Sequence, residues 1–345
     1  MTQNPYTIAI GARMKPSILF LLSLTIACTN DKKPEQGEAP DTDTATEDTA
    51  LVVDCEATMT STPSMELPVS NWFYRDAIEL TFSEMNLAIA VSATDGAGNS
   101  IAVGYTWNDS RERAYIVPDT GVWDGDTDYT ITVDYCGTSS TVEFGTSKYG
   151  KALEVTPDQL VGRTYNIDLT TATYTEPPGI GTLLGQNIDQ PLLFGIDSAT
   201  ETRLDFIAAL GEYDNFGAVS QITGLWSFPN ADFSTNPYFE AFSDFLAIDY
   251  GSIAIPIHNF AISGTFSADG NTIGQAQFSG LGDTRELGPA LSSSFGEDAI
   301  CNMLIAAGSQ CEVCPGDTSG NAFCAFLAGS IDEVQIIPNL TLVEM

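Results

Sequence analysis

Four cysteines near the end of the chain have a spacing that could bind a metal, exchange disulfides or form structural disulfides. Nine residues separate Cys301 from Cys311, two separate Cys311 from Cys314, and nine separate Cys314 from Cys324. A CxxC pair can bind zinc or exchange disulfides. An exported chain favours two structural disulfides here, with zinc or redox use as the minor alternatives. This CxxC also does not open a helix after a strand, as a redox motif would. Among three connectivities, 301 with 311 and 314 with 324 is preferred, since it fixes a helix end and closes a short loop.

The other residue types that carry catalysis occur without their partners. His258 is the one histidine, which excludes an HExxH metalloprotease, and neither a GxSxG nor an SxxK motif is present. In GIGTLLG, at 179–185, the third glycine falls one place too late for a dinucleotide loop, and Pro177-Pro178 precedes it in place of a strand. We therefore predict no catalytic residue, no cofactor and no metal.

Acidic residues dominate the charge of the chain. The 46 acids and 12 bases give a formal net charge of -34. This charge argues against a nucleic-acid partner, because binding nucleic acid needs clustered basic residues that neutralise its phosphates. With so many carboxylates, no pair stands out as a glycosidase couple. A hydrolase that uses carboxylates of the C-terminal domain is nevertheless the alternative function.

Two smaller sets of charged residues have structural interpretations. Asp124, Asp126 and Asp128 form a DxDxD run, but Tyr129 and Tyr135 occupy the positions where an EF-hand has Gly and Glu. An acidic turn before a strand is the preferred reading, and a looser calcium site is the alternative. We expect ion pairs with acids, or less readily an anionic ligand, at three arginines: Arg163, Arg203 and Arg285.

An export signal is indicated at the front of the chain. The run PSILFLLSLTIA, at 16–27, follows Arg13 and Lys15 and has the length of a secretory apolar segment, too short to span a bilayer. Residues 1–27 are therefore predicted to be a signal peptide. Met14 would begin a more compact signal peptide than Met1 does, so we expect residues 1–13 to lie upstream of the true start; a long charged region before the apolar run is the alternative.

The end of this run resembles a bacterial lipobox, with small residues before Cys28, although Thr25 stands where the family usually has Leu. The resemblance implies a lipid on Cys28 and anchoring to the outer membrane, at its periplasmic face or at the cell surface. Ordinary cleavage after Thr25-Ile26-Ala27, giving a secreted protein, is the alternative. Of seven cysteines, assigning Cys28 to lipid leaves six, an even number that can pair. Residues 28–52 lack aromatic side chains and are predicted to be a flexible acidic tether.

Residues 53–148 contain short alternating runs that predict a β-sandwich. IELTFSEMN at 78–86, the hairpin DGAGNSIAVG at 95–104 and DGDTDYTITV at 124–133 resemble the bacterial Ig-like domains first described in S-layer proteins, although Met85 replaces a proline common in that family. The resemblance implies a spacer or adhesive module. Within this domain we expect a disulfide between Cys55 and Cys136, closing about 80 residues and contributing on the order of 4 kcal/mol.

Residues 149–345 are predicted to be a larger antiparallel domain, either a barrel or a bent sheet, with two short helical insertions. The first helix is placed in NPYFEAFSDFLAIDYG, from Asn236, because its aromatic residues follow helical spacing. Its aromatic stripe would pack on the sheet or line an apolar cavity. The second is placed in SFGEDAICNMLIAAG, with Ser294 and Glu297 as a capping box and Gly308 as the end.

These features together predict a mainly β, lipid-anchored envelope protein without enzymatic activity. Its role would be structural, or the C-terminal domain would bind a ligand or partner. In addition to the membrane, the expected partners are an apolar small molecule or another envelope protein.

Overall fold

The structure is a computed structural model and describes residues 58–84, 88–178, 188, 190–250 and 253–345. The predictions for residues 1–52, for Cys28 and Cys55, and for the GIGTLLG segment lie outside these residues. The mainly β fold class is confirmed, with a two-sheet sandwich followed by a closed antiparallel barrel of eight strands.

The sandwich contains nine strands, which are β1 (Met59–Thr62), β2 (Val69–Trp72), β3 (Ile78–Phe82), β4 (Ala90–Asp95), β5 (Ser100–Ile101), β6 (Val103–Trp107), β7 (Arg113–Pro118), β8 (Asp128–Tyr135) and β9 (Thr138–Thr146). One sheet has the order β1-β3-β7-β6 and the other β2-β9-β8-β4-β5. Alternate residues of β8 are buried, as a half-buried strand requires. Between the sheets, the Trp123 ring lies 5.0 Å from Tyr129 and 5.2 Å from Phe144.

The predicted hairpin between β4 and β5 is confirmed. The Asp95 carboxylate accepts hydrogen bonds from the Ala97 and Asn99 backbone amides at 3.0 and 2.7 Å, which closes the turn. Gly98 takes a positive φ of 82°, a conformation in which glycine lacks the steric penalty of other residues.

The barrel domain contains eleven strands, which are β10 (Thr164–Ile167), β11 (Thr173–Glu176), β12 (Leu192–Ala199), β13 (Arg203–Tyr213), β14 (Val219–Gln221), β15 (Trp226–Asp232), β16 (Tyr238–Tyr250), β17 (Ile253–Phe266), β18 (Thr272–Asp283), β19 (Cys311–Val313) and β20 (Ala322–Ile336). Short 3-10 turns span Pro157–Gln159 and Leu169–Thr171. The closed ring runs β10-β12-β13-β15-β16-β17-β18-β20 and returns to β10 through Tyr165–Ile336. Strands β11 and β19 pair with the remaining length of β20, and β14 pairs with β13.

The predicted first helix is wrong, because its residues form strand β16. Twelve residue pairs join β16 to β17, from Tyr238–Thr265 to Tyr250–Ile253, so long-range pairing overrides the local helical spacing. Phe239 and Leu246 point into the barrel, whereas Phe242 and Phe245 are exposed on its outer wall. The aromatic stripe is therefore divided between two faces of a sheet.

The second helix is confirmed, although its start is later than predicted. Two helices lie between β18 and β20, α1 (Leu287–Leu291) and α2 (Ala299–Ala306). Asp298, and not Ser294, precedes α2, so the expected capping box does not form. Gly308, with φ of 92°, follows the helix as predicted. We call residues 284–321 the cap.

The up-and-down order gives the barrel two distinct ends. At the end where β16, β18 and β10 begin, the connector after β9 lies against the barrel, and the Tyr149 hydroxyl donates to Glu333 Oε2 at 2.5 Å. The Arg75 guanidinium of the sandwich lies 4.1 Å above the Tyr238 ring. We call this the sandwich end. The cap follows β18 and precedes β20 at the opposite end, which we call the cap end.

Candidate ligand cavity at the cap end of the barrel

The barrel interior is filled with aromatic rings from its middle to the sandwich end. Phe206 stacks on Phe194 with ring centroids 4.3 Å apart, and its ring lies 4.9 Å from that of Phe239. Phe266 continues the row, 5.1 Å from Phe239. All four side chains are fully buried. This half of the interior is a packed core.

Toward the cap end the large rings give way to aliphatic side chains that leave a cavity of about 40 Å³. Its lining includes Ile248 from β16, and Ile255, Ile257 and Phe260 from β17. Alternation along two paired strands brings these residues to one inner face. The physical reason for the space is therefore the change from Phe to Ile along the same strands.

The opposite wall of the cavity is equally apolar. It comprises Leu169, Tyr174, Ile188 and Leu192, from the segment between β10 and β12, with Phe278, Gly280 and Leu327 from β18 and β20. Almost the whole lining consists of carbon atoms. A bound water needs two to four polar partners, so this lining favours an empty or hydrocarbon-filled space.

Tyr174 and Leu327 are the half-buried residues of the lining, and the other nine lining residues are buried. We call the side of the cavity at these two residues its entrance. The Tyr174 hydroxyl donates a hydrogen bond to the Leu169 carbonyl oxygen at 3.2 Å, and its ring meets Phe278 edge-on at 5.7 Å. Burial, together with the charge of Asp168, raises the pKa of Tyr174 to about 12. The phenol therefore stays neutral at this entrance.

Two disulfides and an arginine stabilise the cap: the first disulfide lies within it, and the second joins it to β20. The bonds are Cys301–Cys311 and Cys314–Cys324, the local connectivity that the spacing favoured. The Arg285 guanidinium forms ion pairs with Asp283, at the end of β18, and with Asp317, at 3.0 Å. Burial alone would raise the pKa of Asp283, but hydrogen bonds and the charge of Arg285 outweigh it, and the pKa lies below its usual value.

Exposed apolar side chains are frequent at the cap end. Phe216, at the tip of the β13–β14 turn, is 96% exposed. The others are Phe245 on the outer wall and four residues of the cap: Phe295, Met303, Ile305 and Val313. Exposed apolar groups in such number are typical of a surface that meets a partner or a lipid.

The remaining sequence-predicted site residues lie elsewhere. Cys136 follows β8 and is disulfide-bonded, as predicted, while the proposed partner Cys55 is outside the described residues. His258 lies on the outer wall, with its ring 5.7 Å from that of Phe245. Arg163 donates to the Asp269 carbonyl oxygen at 2.8 Å, and Arg203 donates to Asn230 Oδ1 at 3.3 Å. Neither forms the expected ion pair with a carboxylate of the described residues.

The DxDxD run forms a turn that meets the connector. The Asp126 carboxylate pairs with Lys151 Nζ at 2.5 Å, and the Asp124 amide donates to the Tyr129 hydroxyl at 2.9 Å. Within the described residues, no group of three or more His, Cys, Asp or Glu side chains is arranged to hold a metal ion.

Among the described residues, six carboxyl groups have a pKa that is shifted from its ordinary value in the same direction. The pKa is lowered at Asp95, Asp205, Asp269, Asp283, Asp317 and Glu333. A glycosidase general acid needs the opposite shift, because it must hold a proton near neutral pH. These six groups therefore act as ion-pair and hydrogen-bond partners.

Sequence reasoning offered an apolar cavity only as the alternative to core packing, and it placed that cavity behind a helix. The residues it missed, such as Ile248, Leu169 and Leu327, are far apart in the chain and carry no motif. The one available signal was the aliphatic character of LAIDYGSIAIPI at 246–257, next to strands rich in Phe.

No protein-family model and no curated protein gives a significant match to this chain. Among the described residues, none of the helices has the length and hydropathy needed to cross a bilayer.

Proposed function

We propose that this chain is a lipid-anchored protein of the bacterial envelope that binds an apolar ligand, without enzymatic activity. The observation that carries the proposal is the carbon-lined cavity at the cap end of the barrel. Eight-stranded barrels have an interior just wide enough either to be filled by side chains or to hold one small ligand. In this barrel, side chains fill the interior at the sandwich end, and a cavity remains at the cap end.

Export is supported by the disulfides. The cap depends on two of them, and such bonds persist in oxidising compartments outside the cytosol. The predicted signal segment and the lipobox-like sequence before Cys28 agree with this location. Lipid on Cys28 and the acidic tether would hold the sandwich and barrel near a membrane.

The anchoring is tested by expressing the wild-type chain and the Cys28→Ala variant and separating membrane from soluble fractions. We expect the wild-type protein in the outer-membrane fraction and the variant in the soluble fraction, and we expect globomycin to cause the unprocessed precursor to accumulate. Equal release of normally processed protein in both cases would refute lipid anchoring and favour a secreted protein.

A further inference from the structure

We propose that the cap-end cavity binds the end of a straight alkyl chain that belongs to an uncharged amphiphile, such as a long-chain alcohol or a monoacylglycerol. The inference rests on the proposed function, since it names the ligand class of the same barrel. Four features of the molecule support it.

The first feature is the size and dryness of the cavity. Its volume of about 40 Å³ exceeds the ~10–15 Å³ that one water molecule needs, but the lining offers almost no polar partner. Apolar cavities of this kind remain dry and accept hydrocarbon or xenon. The volume accommodates the terminal carbons of a chain and is too small for a ring system.

The second feature is the entrance beside Tyr174 and Leu327. The hydrogen bond of the Tyr174 hydroxyl to the Leu169 carbonyl fixes the ring at the entrance without presenting a charge to the cavity. Leu327, on β20, can change rotamer without disturbing the backbone ladder. Because a linear chain has a smaller cross-section than a branched or cyclic hydrocarbon, we infer that shape for a ligand that enters between these two side chains.

The third feature is the apolar surface around this end. Phe216, Phe245 and the exposed side chains of the cap lie at the same end of the barrel as the cavity. Such residues favour contact with the bulk of an amphiphile or with the lipid surface that supplies it.

The fourth feature is charge. The chain carries a formal net charge of -34, and Asp168 is the chain neighbour of the lining residue Leu169, whose carbonyl oxygen accepts the hydrogen bond from the Tyr174 hydroxyl. An anionic headgroup held at the entrance would be repelled by both. We therefore infer an uncharged headgroup and exclude a fatty-acid carboxylate as the preferred ligand.

The test is isothermal titration of the purified Cys28→Ala protein with 1-hexanol, 1-octanol and 1-decanol, and with octanoate. Each methylene that enters the cavity should raise the association constant about fourfold, with a plateau once the cavity is full. Octanoate should bind at least about tenfold more weakly than 1-octanol. Absence of alkanol binding, or an equal affinity for octanoate, would overturn the proposal.

Two matched pairs of variants locate the binding. Leu327→Phe narrows the entrance and should weaken 1-octanol binding about tenfold, whereas Val161→Phe, which adds aromatic surface at an exposed position before β10 at the sandwich end, should leave it unchanged. Ile248→Ala enlarges the cavity and should tighten binding of 1-decanol several-fold. Ile273→Ala makes the same truncation near Phe239 at the sandwich end and should leave the affinity for 1-decanol unchanged.

Near-UV circular dichroism of each variant shows whether it keeps the native packing. If Leu327→Phe does not fold, the comparison of Ile248→Ala with Ile273→Ala tests whether the alkanol binds in the cavity. Equal effects of the two members of a pair would show surface adsorption and contradict the cavity site. Because these titrations use unlipidated protein, alkanol binding and membrane anchoring can fail independently of each other.

Discussion

The interior of the barrel differs between its two ends. At the sandwich end, Phe206, Phe239 and Phe266 fill the interior, and the connector residue Tyr149 lies flat against the outer wall. At the cap end, aliphatic side chains leave a cavity, and disulfides and an ion pair supply the order that packing does not. The comparison shows that one barrel can have a packed core at one end and an unfilled apolar space at the other.

The largest expected effect comes from emptying the filled end. Phe239→Ala removes a fully buried ring and should lower the free energy of unfolding by about 3–5 kcal/mol. The matched control is Phe245→Ala on the same strand, whose outward ring is 44% exposed and whose loss should change stability by less than about 1 kcal/mol. Urea denaturation measures both. Similar losses would mean that the two faces of β16 do not differ as described.

A smaller loss of stability is expected when the disulfide between the cap and β20 is removed. Replacing Cys314 and Cys324 together by Ala opens a loop with a sequence separation of 10, which should cost about 2–3 kcal/mol. Amide exchange measured by mass spectrometry should increase in β19, α2 and the start of β20, and remain unchanged in β8 and β9. Uniform acceleration across the sandwich would contradict independent support of the cap end.

The connector provides the next test. An ideal Cβ on residue 274 would lie 2.1–2.3 Å from three atoms of the Tyr149 ring, so Gly274→Ala must displace the ring. The expected loss of stability is about 1–3 kcal/mol, with a broader or divided calorimetric transition as the sandwich and barrel uncouple. Gly224→Ala is the control, because no atom lies within 4 Å of its Cβ position. A single sharp transition in Gly274→Ala at the wild-type temperature would contradict docking through Tyr149.

The smallest expected effect concerns the Arg285 ion pairs and pH. Because the folded pKa of Asp283 lies below its ordinary value of 3.8, folding favours the ionised carboxylate. The stabilisation is complete above that value and is lost as the pH falls through the lower, folded pKa. The difference in melting temperature between wild type and Arg285→Gln should therefore be constant from pH 7 to about pH 5 and shrink below about pH 4. A difference that grows on acidification would reverse the assigned direction.

Several parts of this fold follow from local sequence. Residues 128–135, DYTITVDY, alternate with period two and form β8 over that range, and the Asp95 to Asn99 turn forms where Gly and Asn permit it. The cap disulfides follow from the equal short spacings of four cysteines. In each case the residues that decide the structure are close together in the chain.

The candidate site could not be predicted in this way. In β16, the spacing of Phe239, Phe242 and Leu246 fits a helix, and it is the long-range pairing with β17 that makes the segment a strand. The cavity depends on side chains as distant as Leu169 and Leu327, which meet because the sheet closes on itself. Its existence depends on volumes left unfilled among several strands, and no single segment encodes that.

The most direct test of the difference between the two ends is a crystal structure of the Cys28→Ala protein under xenon pressure. We predict one xenon atom in the cap-end cavity between Ile248 and Leu327, and none among the rings around Phe239. Xenon bound at the sandwich end, or ordered water in place of xenon at the cap end, would contradict a dry binding space confined to one end of the barrel.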